Sequence, residues 1–126
     1  MILYVKDELM KYVLNVDKNF NDTIIVSLDN LKICGIYIPP RDSPYFDDQF
    51  QILNSITENA KQFKEELLII GDMNARIGEH RSLCGMTYST NCDKTTNSHG
   101  SKLLEIIKNQ RVLPLNNLKI VRASKR

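Results

Sequence analysis

The order strand–helix–strand from residue 31 to residue 71 constrains this chain more than any other feature of its sequence. The run LKICGIYI (31–38) is apolar and β-rich, and Pro39-Pro40 ends it because neither proline can donate to a sheet ladder. In PYFDDQFQILNSITENAKQF (44–63), Phe46, Phe50, Leu53, Ile56, Ala60 and Phe63 recur at steps of three and four, which places them on one helical face. Asp47 and Asp48 fall in the first turn of that helix, where carboxylates interact favourably with the helix dipole. ELLIIGD (66–72) is a short apolar run bounded by Gly71 and predicts a buried strand. A crossover of this length lets the two strands lie parallel, joined right-handedly. Their carboxyl ends then meet at one sheet edge, the usual ligand-binding edge of open α/β sheets. Tyr37 closes the first strand and Asp72 the second, so this topology predicts that they approach each other.

The remaining elements are simpler. TIIVSLDNLKICGIYI (23–38) predicts an antiparallel hairpin around Asp29-Asn30, residues that tolerate the positive φ of a tight turn. ILYVK (2–6) predicts a further strand. EHRSLCGMTYSTNCDKTTNSHG (79–100) is polar and rich in turn formers, which predicts a loop. A second helix is expected over 99–110, with Leu103, Leu104, Ile106 and Ile107 facing inward and Ser98 as N-cap. VLPLNN begins a last strand.

With 126 residues the chain fits one domain, and its net charge of +2 by itself indicates neither a nucleic-acid nor a membrane partner. No apolar stretch reaches the roughly 20 residues of a membrane helix, and MILYVKDELM does not fit a secretory signal. An intracellular, soluble protein is expected. The cysteines Cys34, Cys84 and Cys92 are odd in number and form no C-x-x-C pair. His80, Cys84, Cys92 and His99 are zinc-ligand types, but their spacing matches no compact finger, which favours free thiols and surface imidazoles.

LLIIGDMNARIG (67–78) raises the chemical question, because an apolar run ends in a carboxylate and a carboxamide two positions apart. In a strand, residues i and i+2 point the same way, so Asp72 and Asn74 can face one pocket while Met73 packs behind. An ionised aspartate accepts protons and hydrogen bonds, whereas an asparagine amide supplies donors without charge. Phosphodiester hydrolysis needs both: a base for water, and donors for the charge that builds on the phosphoryl oxygens. Tyr37 can add a phenolic donor. Asp-x-Asn after a strand is equally ordinary turn chemistry, and Tyr37 alone is equally a core aromatic with its hydroxyl at the rim.

Taken in order, GIYIPP (35–40), the amphipathic helix, LLIIGDMNARIG and DKTTNSHGSKLLEIIKNQRVLPLN (93–116) resemble the endonuclease/exonuclease/phosphatase family. The resemblance is closest to the apurinic-endonuclease-like nuclease domain of non-LTR retrotransposons, which ILYVKDELMKYV also resembles. It implies an α/β sandwich of two packed sheets flanked by helices, Mg²⁺-dependent phosphodiesterase chemistry, DNA as partner and, with it, a nuclear location. By the same resemblance Tyr37 matches a tyrosine that contacts the phosphate. Asp72 matches the aspartate that positions or deprotonates water, and Asn74 the asparagine that stabilises the transition state. Arg76 and Asn97 lie in family-like stretches; Arg76 fits a phosphate contact or a solvated arginine, Asn97 a helix cap.

The same resemblance implies that the chain corresponds to the middle of that domain, with residues 1–126 expected to form one incomplete unit lacking its first and last strands. By it the metal-binding glutamate would lie upstream of the matched region and the Asp-His pair downstream, and His99 stands in the wrong segment to replace the histidine. Three expectations follow. The chain represents a nuclease that is catalytic in its full-length form, an inactive remnant serving as a binding module, or a superfamily phosphatase acting on another phosphoester. Uncovered strand edges predict edge-to-edge association or aggregation.

Overall fold

The computed structural model describes residues 1–44, 49–88 and 93–116. The chain divides into two compact units, Met1–Asn74 and Ala75–Arg126. Its class is mixed α/β, with one four-stranded and one two-stranded sheet and no barrel.

The first unit contains α1 (Asp7–Met10), β1 (Asn15–Asp17), β2 (Thr23–Ser27), β3 (Leu31–Tyr37), α2 (Gln49–Phe63) and β4 (Glu66–Asp72). The strands lie in the order β1-β2-β3-β4; the first two pairings are antiparallel and β3 runs parallel to β4. The expected parallel pair and its helical crossover are therefore present. So is the hairpin, which Leu28 closes by donating its N–H to the Leu31 carbonyl at 2.8 Å. Contrary to expectation, neither Asp29 nor Asn30 adopts a positive φ.

The expected strand at 2–6 is absent. Residues 1–6 carry no regular structure, and β1 occupies the place beside β2 instead. Tyr4, left outside the sheet, is 88% exposed. In α2 the residues Phe50, Leu53, Thr57 and Ala60 are buried, as helical spacing requires, and Ile56 is half-buried. Phe63 departs from the expectation at 66% exposed: it ends the helix, and the chain turns at Lys64 (φ 54°) into β4. Phe46, Asp47 and Asp48 lie outside the described residues.

Val26, Cys34, Ile36 and Ile38 join Phe50 and Leu53 as the buried core of this unit. Each such large apolar side chain contributes about 1.5–3 kcal/mol of transfer free energy. β4 is less buried than its composition predicts. Leu67, Leu68 and Ile69 are half-buried, and Ile70 is 42% exposed. The reason is its place in the sheet, since among the described residues β3 is its one strand neighbour.

The second unit holds more structure than the expected loop. Ile77 and Thr96 form an antiparallel bridge, and β5 (Ser82–Leu83) pairs with β6 (Met86–Thr87). Cys84 and Gly85 both take positive φ, 50° and 80°, the two-residue turn geometry that matches strand twist. α3 spans Ser98–Gln110; Ile106 and Ile107 are buried, and Leu103 and Leu104 are half-buried. Its N-cap is Asn97, which the sequence also offered as a helix cap, and not Ser98. The Asn97 Oδ1 accepts from Gly100 N at 2.7 Å and from Arg76 N at 3.0 Å. Residues 112–116 form no strand, and the chain from 117 lies outside the described residues. Among the described residues no helix is long and apolar enough to cross a membrane.

Candidate functional site

Strand alternation sets the first side chain of the site. Ile36 and Ile38 are fully buried, and Tyr37 between them is 38% exposed. The parallel register then aligns Tyr37 with Asp72, so the carboxyl ends of β3 and β4 present a phenol beside a carboxylate. Register partners share a sheet face, and neighbouring strands lie about 4.8 Å apart. Main-chain bonds hold this row: Tyr37 N donates to the Asp22 carbonyl at 2.9 Å, and Ile38 N donates to the Asp72 carbonyl at 2.9 Å.

Gly71 makes the close approach possible. A Cβ there would stand 1.8 Å from the Ile36 carbonyl oxygen, and the φ of 147° is one that other residues rarely adopt. The glycine that ends the apolar run thus lets β4 seat against β3 one residue before Asp72.

Strand alternation does not set Asn74 beside Asp72. β4 stops at Asp72, and Asn74 lies beyond it with a left-handed φ of 47°. Its side-chain amide Nδ2 donates to the Ile38 carbonyl at 2.9 Å. Asp72 Oδ1 accepts the Asn74 backbone N–H at 2.9 Å, which is the turn chemistry that Asp-x-Asn also allowed. The two readings coexist in one carboxylate: one oxygen organises the turn, and among the described residues no hydrogen bond uses the other. Asp72 is exposed. The structure therefore unites Tyr37, Asp72 and Asn74 in one corner of the first unit, with Asn74 turned toward β3.

Arg76 belongs to the second unit and is engaged there. Its Nε donates to Asp93 Oδ2 at 2.8 Å and its second terminal nitrogen to Asp93 Oδ1 at 2.9 Å. This two-pronged pair raises the Arg76 pKa and, together with the Thr95 N–H, pulls Asp93 down to about 2. Asn97 serves as the cap and also fixes the Arg76 main chain.

His80 donates from Nε2 to the Ile77 carbonyl at 2.7 Å, and Cys84 Sγ donates to the Ile107 carbonyl at 3.5 Å. Cys92 lies outside the described residues, among which no three His, Cys, Asp or Glu side chains form a metal-binding group. Magnesium takes a near-octahedral set of oxygens, commonly one or two carboxylates completed by waters and substrate oxygens; Asp72 offers such a carboxylate, and its Oδ1 accepts the Asn74 N–H.

Sequence reasoning missed the carbonyls of Asp22 and Ile38, which hold Tyr37 and Asn74. Main-chain acceptors are present at every residue and leave no signature in sequence. The Asp93 partner of Arg76 was missed too, although its place at the head of DKTT, as a turn-forming acid, was a signal.

No protein-family model, no curated protein and no solved structure matches this chain.

Proposed function

We propose that residues 37 and 72 form the substrate-facing rim of a phosphodiesterase of endonuclease/exonuclease/phosphatase type, with DNA as substrate. The pairing of Tyr37 with Asp72 across β3 and β4 carries this proposal. A phenol can donate to a phosphoryl oxygen while the adjacent carboxylate accepts a proton from water, the two services that hydrolysis of a phosphodiester requires. On this view the four-stranded sheet is one layer of a two-sheet sandwich, the chain is of the retrotransposon type its motifs resemble, and its work is nuclear. Magnesium enters from that resemblance alone; when bound, such an ion neutralises developing phosphoryl charge.

A second reading is a catalytically inactive remnant or binding module. A third, hydrolysis of another phosphoester, has no observation of its own. Fluorescence anisotropy with a short labelled duplex tests the proposal. Tyr37→Phe removes a donor and weakens binding several-fold, about 1 kcal/mol. Asp72→Asn removes a negative charge facing phosphate and leaves binding equal or tighter. Affinity indifferent to Tyr37→Phe and reduced by Asp72→Asn overturns it.

A further inference from the structure

We infer that Asn74 is a positioning residue that holds the Tyr37–Ile38 segment against Asp72; its relevance to phosphodiesters rests on the function proposed above. The side-chain amide is directed to the Ile38 carbonyl, 2.9 Å away. The same Ile38 donates its N–H to the Asp72 carbonyl at 2.9 Å, and Asp72 Oδ1 accepts the Asn74 N–H at 2.9 Å. Residues 38, 72 and 74 thus close a ring of three hydrogen bonds around the end of the parallel pair. The register of the sheet ends at Tyr37 and Asp72, and this ring continues it by one residue on β3 and two beyond β4.

The backbone conformation explains the choice of residue. A φ of 47° disfavours most side chains, and asparagine is among the few that adopt it readily. Aspartate also tolerates that conformation but has no N–H to offer Ile38. Glycine tolerates it best and has no side chain. Asn alone of these three satisfies both the turn and the carbonyl.

The test uses the full chain and two substitutions, Asn74→Gly and Asn74→Asp. Both keep a backbone able to take the turn, so loss of fold is not the expected outcome, and far-ultraviolet circular dichroism checks that it has not occurred. Amide exchange at Ile38 and the ring resonances of Tyr37 are then recorded by NMR. Positioning predicts that Ile38 exchange rises about tenfold in both variants and that the Tyr37 ring signals move in both, as loss of one hydrogen bond implies. Unchanged Ile38 exchange and Tyr37 signals in Asn74→Gly overturn the inference. Dimethyl phosphate is added to the wild-type chain in a second arm. A response at Tyr37 and Asp72 that weakens when the Asn74→Gly chain is titrated in the same way supports the inference, and a response unchanged in Asn74→Gly overturns it. Silence at every residue counts against the phosphodiester proposal alone, because the exchange data decide the role of Asn74 without ligand.

Discussion

Tyr37 and Asp72 are register partners at the last rung of the parallel β3–β4 pair, the first half-exposed and the second exposed. Their meeting needs nothing but the ladder: once Leu31 aligns with Glu66, six further rungs carry the phenol to the carboxylate. What the ladder needs, in turn, is a glycine at position 71.

Gly71→Ala is expected to be among the most damaging single changes in the first unit. The new methyl would overlap the Ile36 carbonyl and sit at a φ of 147°. Strain and strand displacement together cost about 2–4 kcal/mol. Urea denaturation measures this, and a midpoint unchanged from the wild type would contradict the packing described.

Acid sensitivity of the second unit follows from Asp93. Its folded pKa lies at about 2, below the roughly 3.9 of an unfolded aspartate. The stabilisation is complete above about pH 4 and is lost as pH falls through 2, because the unfolded chain binds the proton first. Titration of the Asp93 carboxyl carbon by NMR should show the low midpoint, and Arg76→Gln should raise it toward the ordinary range. A midpoint near 4 in the wild type would show that the pair does not persist in solution.

Thiol reactivity should separate two cysteines. Burial holds Cys34 up at about 11, so almost none is thiolate at neutral pH, whereas Cys84 is exposed. Mass-spectrometric mapping after brief iodoacetamide treatment should find Cys84 modified and Cys34 intact until denaturant is added. Early modification of Cys34 would contradict its place in the core.

The parallel pair, the hairpin and both long helices were legible because each rests on periodicity and bounding residues, signals local to the sequence. The failures lie where a neighbour decides. The apolar ILYVK stays outside the sheet, where β1 forms the edge beside β2, and ELLIIGD is half-buried because it stands at the other edge. At the site, pairing Tyr37 with Asp72 followed from topology. The orientation of Asn74 did not, because the strand ends one residue after Gly71 and a left-handed turn replaces alternation.

Nicking of supercoiled plasmid in Mg²⁺ should be weak, since one oxygen of the Asp72 carboxylate is committed to the Asn74 N–H. Residual nicking lost in both Asp72→Ala and EDTA marks a phosphodiesterase; a rate equal to that of Asp72→Ala marks a binding remnant. Robust nicking abolished by both controls would show that the described donor set suffices.

Whether the β3–β4 rim meets the DNA backbone is read out by backbone chemical-shift mapping with a short duplex in Mg²⁺. The largest shifts in the first unit are expected on Tyr37, Ile38 and 71–74. Shifts confined to other surfaces of that unit, or none at saturating DNA, would contradict it.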